Sequence, residues 1–498
     1  MSASGQTSNS LPESVLAKFL AAHPDYESTR LLDEWRDTEY SRLDRSGQIY
    51  LDYTGGSLHA ASQLTKHYEE LSRHVFGNPH STSPTSRAMT ERVEAVRSHV
   101  LRYFNAPPEE YLVAFTPNAS GALHEIGEAY PFALGSRYLL TFDNHNSVNG
   151  IREFARTKGA EVTYTPLTKE LRIDRAALSP ELQRPGTTGA KLFAFPAQSN
   201  FSGVQHPLDL IAEAQAAGWD VLLDAAAFVA TNRLDVARWK PDLVALSFYK
   251  MFGYPTGVGA LLMRRTMFEK LKRPWFAGGT IQIATVQGDS FYRTPDASAF
   301  EDGTIDCLNI PAVGHGLTHL ESIGIDLIHR RVRCLTAWLL ERMATLRHAN
   351  GKPLVRIHGP AGSEARGGTI AFNLLDPDEH AFDIRRVEEL AAEARISLRT
   401  GCFCNPGAGE AAYGLSAEQI GRFFHDPAGM SFDVLRERIR REYGLEVGAI
   451  RVSVGIASNL ADVEAFLAFA ARFRDRTFKE IGLAASPGAC AVPLREGS

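Results

Sequence analysis

Short apolar runs alternate with longer stretches of helical spacing along this chain. The runs fall at 111–115, 138–142, 191–195, 221–224, 243–247 and 259–263, each bounded by turn residues or by a helix-like pattern. Strands separated by helices predict an α/β fold, a mainly parallel sheet with helices on both faces. Ahead of the first run, Val15, Leu16, Phe19 and Leu20 recur at helical spacing in a polar, acidic lead-in. Residues 48–56 read as a short strand entering a Gly-Gly turn, and 63–104 as helix interrupted at Gly77-Asn78-Pro79. Beyond Pro311, helical patterns at 314–324 and 326–348 precede short strands at 354–357 and 368–374 and two more helices, which reads as a smaller α+β domain. The expected division is an N-terminal segment, 1–45, packed on the small domain; a large domain, 46–320; a small C-terminal domain, 321–480; and a loosely ordered tail, 481–498.

Composition narrows the function. The 498 residues are 44% hydrophobic and 22% charged, with a net charge of −5, an ordinary globular balance. Nothing in it favours nucleic acid or an anionic membrane as a partner. No apolar run is long enough to span a bilayer, and Met1 to Ser10 lack the pattern of a secretory signal. Five irregularly spaced cysteines do not make a disulfide framework, so a cytoplasmic location with reduced, reactive thiols is expected.

Candidate chemistry gathers after the strands. Lys250 follows the 243–247 run in an aromatic surround, Ser247-Phe-Tyr-Lys250-Met-Phe-Gly. A poorly hydrated lysine amine has a lowered pKa and can form a Schiff base with an aldehyde, although a lone lysine more often snorkels to water. Asp224 closes an apolar strand, where a carboxylate must be paired; it suits the pyridinium nitrogen of a flat cofactor, or an ordinary helix cap. Asn118-Ala-Ser120-Gly121-Ala122 opens a helix with small residues, a phosphate cup or a plain cap. His145 lies just beyond a strand and could stack on a ring or shuttle a proton. Asn200 sits in a polar loop after the 191–195 run. Parallel strands would bring Ser120, His145, Asn200, Asp224 and Lys250 to one edge.

A second locus is Arg399-Thr-Gly-Cys402-Phe-Cys404-Asn-Pro, in the small-domain region. An arginine close by favours the thiolate form of cysteine. Two cysteines with no second pair do not make a zinc site, so no metal is expected; a catalytic thiol and inert structural thiols both remain open. Arg451, in a short strand, suits a bidentate clamp on a substrate carboxylate, or a surface ion pair.

These residues resemble a family. The segments Asp143-Asn-His-Asn-Ser-Val148, Pro196-Ala-Gln-Ser-Asn-Phe-Ser-Gly203, Leu223-Asp-Ala-Ala226, Ser247 through Gly257 and Arg399 through Cys404 are similar to those of class V, fold-type I pyridoxal 5′-phosphate (PLP) enzymes of the cysteine desulfurase group. The likeness is strongest to the N-terminal part of molybdenum-cofactor sulfurases and runs from about Tyr50 to about Phe469. It implies a large domain with a seven-stranded-type sheet and PLP on Lys250. Ser120, Gly121, Ala122 and Ser247 would hold the phosphate and Asp224 the ring nitrogen. His145 would lie on the ring face, with Tyr249 beside it. Asn200 would lie near the ring hydroxyl and the substrate carboxylate, and Arg399 and Arg451 would serve the substrate, with Arg451 the main carboxylate clamp. Thr304 would reach the phosphate of a neighbouring subunit, making a homodimer. Cys404 would be the persulfide-forming nucleophile, with Cys402 a second candidate.

The activity so implied is removal of sulfur from L-cysteine, leaving L-alanine and a persulfide for an unidentified acceptor. Another transaminase, epimerase or C–S lyase reaction on this fold, or a non-catalytic scaffold, are the alternatives. The chain departs from the family at Ala227, often Gln, and at Tyr249, often His. It ends soon after the small domain, so sulfuration of the molybdenum cofactor itself is not expected.

Overall fold

The structure is a computed structural model describing residues 12–79, 81–425 and 430–484. Most of the expected tail, the polar Met1–Ser10 and Cys490 lie outside the described residues. After a two-residue strand, β1 (Ile49–Tyr50), the main sheet is built from β2 (Tyr111–Thr116), β3 (Arg137–Thr141), β4 (Glu161–Thr165), β5 (Lys191–Pro196), β6 (Asp220–Asp224), β7 (Leu243–Ser247) and β8 (Gly259–Arg264). Their spatial order is β2-β8-β7-β6-β5-β3-β4. Only β8 runs antiparallel to its neighbours, so the other six strands point their carboxyl ends to one edge.

The central strands are apolar because both faces are covered. Val221, Leu223, Val244 and Leu246 face one core, while Leu222, Leu243, Ala245 and Leu261 face the other, the two-residue alternation of a strand. Sequence pattern had marked six of the seven strands. It passed over β4, an edge strand whose Glu161 is exposed and whose next three residues are half-buried. β4 intervenes in the chain between the strands that lead to His145 and Asn200, but β3 and β5 are neighbours in space.

A hairpin, β9 (Ile281–Thr285) and β10 (Ser290–Arg293), follows β8. The second sheet is antiparallel, in the order β11 (Val355–His358), β12 (Thr369–Leu374), β15 (Ala449–Ser453), β14 (Arg399–Gly401). β1 pairs with β13 (Ile396–Ser397), and Asp52 bridges to Ser453 on β15, so the chain enters along this sheet before building the larger one.

The lead-in is anchored by buried arginines. Phe19 meets the Trp338 ring edge-on at 5.5 Å, and Arg331 donates to Asp33 at 2.7 Å. Arg36, with Asp462 at 2.6 Å, lies in an ion pair with both side chains about 6% exposed. The break at Gly77-Asn78-Pro79 separates helices Ala61–Arg73 and Pro84–Tyr103, with Ser83 as the second helix's cap.

The loop after β5 is pinned to the second sheet at Gly203. Its φ of 78° is left-handed, and a Cβ there would lie 2.3 Å from the Thr369 carbonyl oxygen. Gly203→Ala is expected to lower stability by about 2 kcal/mol or more. The check is a lower urea midpoint at an unchanged slope.

Candidate active site

At the carboxyl edge of the main sheet the loops after β2, β3, β5, β6 and β7 enclose a cavity of about 190 Å³. Lys250 stands in the one-turn helix Phe248–Phe252 that follows β7. Its Nζ donates to Asn200 Oδ1 at 3.0 Å. Burial pushes this amine down to about 8; Arg451 and Arg399 push the same way, while Asp224 and Cys404 oppose. Lys250 is thus a buried amine in a cavity whose wall also holds Asp224.

Asp224 ends β6 at the cavity wall. One of its oxygens accepts the Ala226 N–H at 3.1 Å; the other has no hydrogen-bond partner among the described residues. That carboxylate oxygen suits a protonated ring nitrogen. His145 Nδ1 accepts the Ser147 N–H at 3.1 Å, so the proton of the neutral ring belongs on Nε2. Burial lowers the His145 pKa, against the pull of Asp224, which favours an uncharged, flat face.

Ser120 and Ser247 both line the cavity. The Ser247 Oγ accepts the Ala119 N–H at 3.0 Å, which leaves its own hydrogen free to donate into the cavity. Ser120 shares a 2.6 Å hydrogen bond with Ser147, linking the helix start to the His145 loop. Gly121 and Ala122, expected as backbone ligands, do not line this cavity. The Asn118 side chain caps the helix and takes the Gly121 N–H at 3.0 Å, while the Ala122 N–H already bonds the Asn118 carbonyl at 3.2 Å. Thr304 also lies elsewhere: it meets Asn78 at 3.4 Å and borders a separate cavity. Tyr249 does line the site, beneath the Gly56 turn, with its pKa raised by burial. Ala227 lines it too, where a glutamine would have filled space; Gln198 donates instead to the Ala227 carbonyl at 3.3 Å.

The cysteine loop follows β14 and is bonded to the loops of Asn200 and His145. Phe403 and Cys404 both take left-handed backbone, φ 55° and 53°, and Cys404 is exposed. Asn200 Nδ2 donates to the Phe403 carbonyl at 2.9 Å, and the Asn146 N–H donates to the Cys404 carbonyl at 2.7 Å. The charge of Cys404 acts on Lys250, Tyr249 and Arg451. That of Cys402 acts on Tyr413, in the wall of a different cavity. Arg399, expected beside the thiol, is half-exposed and paired with Asp52 at 2.6 Å. Arg451 is buried, with Nη1 on the Asn200 carbonyl at 2.8 Å, Nη2 on Asp52 at 3.0 Å and its guanidinium 4.6 Å from the Phe403 ring centre.

Sequence reasoning passed over two groups. Asp52 is an acid following a short strand, the same signal that singled out Asp224, yet it went unweighed. The buried Asp143–His206 pair, 2.6 Å apart, carries the loop of His145, and Asn405 donates to the Asp143 carbonyl at 2.8 Å. No local motif marks His206.

The sequence profile described as aminotransferase class-V matches residues 49–466. The chain is 36% identical over 488 residues to the molybdenum cofactor sulfurase of Solanum lycopersicum, covering 92% of this chain and 59% of that protein. It is 36% identical over 462 residues to the human molybdenum cofactor sulfurase, covering 88% and 51%. It thus spans between half and three fifths of these relatives' length. Among solved structures, a cysteine desulfurase from Thermococcus onnurineus NA1 superposes with a TM-score of 0.72 at 22% identity, covering 88% of this chain and 97% of that one. The Escherichia coli cysteine desulfurase CsdA superposes with a TM-score of 0.69 at 20% identity, covering 89% and 98%. These neighbours carry the fold: a mixed seven-stranded α/β sheet of fold type I. Since the matched stretch takes in the whole Lys250 cavity, both sheets and the cysteine loop, the chain belongs to the class-V aminotransferase family.

Proposed function

We propose that this chain is a PLP-dependent enzyme that takes sulfur from L-cysteine and holds it as a persulfide on Cys404, releasing L-alanine. One observation carries the reading. The Asn200 side chain accepts from the Lys250 amine and donates to the Phe403 carbonyl, so it ties the lysine to the loop of the thiol. The names of the relatives and structural neighbours, molybdenum cofactor sulfurases and cysteine desulfurases, support the same reaction class.

The residues fit the cofactor. Asp224 would hold its ring nitrogen, His145 its face, and Ser120 and Ser247 its phosphate, with Lys250 as the attachment point. When bound, PLP supplies an electron sink that lets bonds at the amino acid's Cα and Cβ break heterolytically. Lys250 Nζ, depressed toward neutrality, takes the Cα proton and returns one, while Asn200 Oδ1 holds the amine in place. His145 keeps water from one face of the site. Arg451 and Arg399 receive the substrate carboxylate. Cys404 Sγ attacks the substrate sulfur: the S–S bond forms, the Cβ–S bond breaks, and the methyl group of alanine takes up a proton. The exposed position of Cys404 lets an acceptor reach the persulfide.

We propose further that the chain works as a homodimer, with Thr304 serving the neighbouring subunit's phosphate. The position of Thr304 outside its own cavity supports this, as do the exposed Ile283, Val286 and Tyr292 of the β9–β10 hairpin. No described helix is long and apolar enough to cross a membrane. We place the protein in the cytoplasm, where Cys404 stays reduced.

Lys250→Ala is expected to abolish alanine release from L-cysteine and the visible absorbance of the loaded protein. Cys404→Ser should cut alanine and sulfide release by about a hundredfold or more while L-cysteine still perturbs that absorbance. Cys402→Ser should stay near the parent rate. Parent-level release by Cys404→Ser would refute the thiol's role. The amine gives a separate pH test. A lysine that titrates near 8 is a free base well below the range of ordinary lysines, roughly 10.4. In cofactor-free protein, reductive trapping with a small aldehyde should label Lys250 with a half-rise near pH 8, read by peptide mass spectrometry.

A further inference from the structure

Beside Lys250 two guanidinium groups share one carboxylate. Asp52 Oδ1 lies 3.0 Å from Arg451 Nη2, and Oδ2 lies 2.6 Å from Arg399 Nη2 and 3.0 Å from its Nε. Asp52 is buried and backbone-fixed: it bridges to Ser453, and the Gly55 and Gly56 N–H groups fold back onto its carbonyl at 2.9 and 3.2 Å. A Cβ at position 55 would stand 2.5 Å from Asp52 Oδ2 and 2.6 Å from Arg399 Nη2, so any larger residue there would displace this pair. The carboxylate is thus held in place from two sides, by its own turn and by both arginines.

The formal charges of the three groups sum to plus one. Arg451 is 1% exposed, and its Nε is buried with no hydrogen-bond partner among the described residues. A buried cation with an uncommitted N–H is costly until an anion or acceptor meets it. Arg451 also donates to the backbone carbonyl of Asn200, whose side chain accepts from Lys250, so the arginine pair adjoins the lysine. One added carboxylate balances it. A second would face Asp52 with no cation left to neutralise it.

We infer that Asp52 is a positioning residue that sets the net charge of this seat to plus one, so that the site accepts amino acids with one carboxylate and rejects those with two. The inference rests on the proposed reading that Arg451 and Arg399 receive the substrate carboxylate, and adds what limits the substrate class. Asp52 touches no reacting atom; it acts by holding Arg399 against Arg451 and by cancelling one of their charges.

Charge arithmetic gives a test that a merely structural role would not pass. Asp52→Asn leaves plus two, Arg399→Gln leaves zero, and the double variant returns to plus one. KM and kcat for L-cysteine would be read by alanine release, and dissociation constants of L-alanine and L-aspartate by calorimetry on the loaded protein. The parent should bind L-aspartate about tenfold or more weaker than L-alanine, and Asp52→Asn should erase that gap. Arg399→Gln should raise KM about tenfold while kcat stays within about twofold. The double variant should bring KM back to within about threefold of the parent.

A double variant no better than Arg399→Gln, or unchanged discrimination against aspartate in Asp52→Asn, would overturn the inference. Should Asp52→Asn not fold, an unchanged KM in the half-exposed Arg399→Gln would overturn it and the tenfold rise would support it. If the parent releases no alanine from cysteine, the desulfurase reading fails, and the alanine-to-aspartate binding ratios still judge Asp52.

Discussion

The Asn200 side chain is the joint between the two sheets. Its carbonyl oxygen accepts from Lys250 at the edge of the main sheet, its amide donates to Phe403 in the cysteine loop, and its backbone carbonyl accepts from Arg451 on β15. An amide can do this because it carries a donor and an acceptor on one rigid plane. An aspartate in its place would bind the amine more tightly, raise its pKa and lose the donor to Phe403. The amine would then stay protonated and the loop would lose its tie. The neutral residue adds no charge beside Lys250 while it ties the lysine to the thiol loop.

Burial sets the rest of the electrostatics. Lys250, His145 and Arg451 all have lowered pKa values, each with burial as the largest cause. A site that dries its own cations holds them in a state of unmet demand for anions. Asp224 and Asp52 answer that demand in different places. Asp224 faces the cavity with one oxygen unpaired, whereas Asp52 is enclosed by two arginines. The first is available to a ligand and the second is spent on the protein, although both end short runs of apolar chain.

That difference marks how much the sequence could disclose. The strand-end residues Ser120, His145, Asn200, Asp224 and Lys250 were legible because a parallel sheet turns five separate sequence positions into one edge. β4 was not, since an edge strand alternates polar and apolar residues weakly and resembles a loop. For Arg399 and Gly121 the sequence left one thing out of view. Each is claimed by a partner within the protein, Asp52 for the arginine and the Asn118 cap for the glycine N–H. Residue type and spacing say which groups are capable of binding a ligand; they do not say which have already been used. The Asp143–His206 pair could not be found at all from local pattern, since its members lie 63 positions apart.

The cysteine loop shows the same economy of partners. Cys404 is exposed, yet its backbone is held from three directions: Asn146 donates to its carbonyl, Asn200 to that of Phe403, and Asn405 to that of Asp143. Asn405 and Asp143 are fully buried, so these bonds compete little with water. Two consecutive left-handed residues, Phe403 and Cys404, cost strain that such over-determination sustains. The backbone that carries the thiol is therefore fixed to the loops of His145 and Asn200. On the proposed reading, a nucleophile fixed this way does not itself carry sulfur away, and the acceptor comes to the exposed face of the loop.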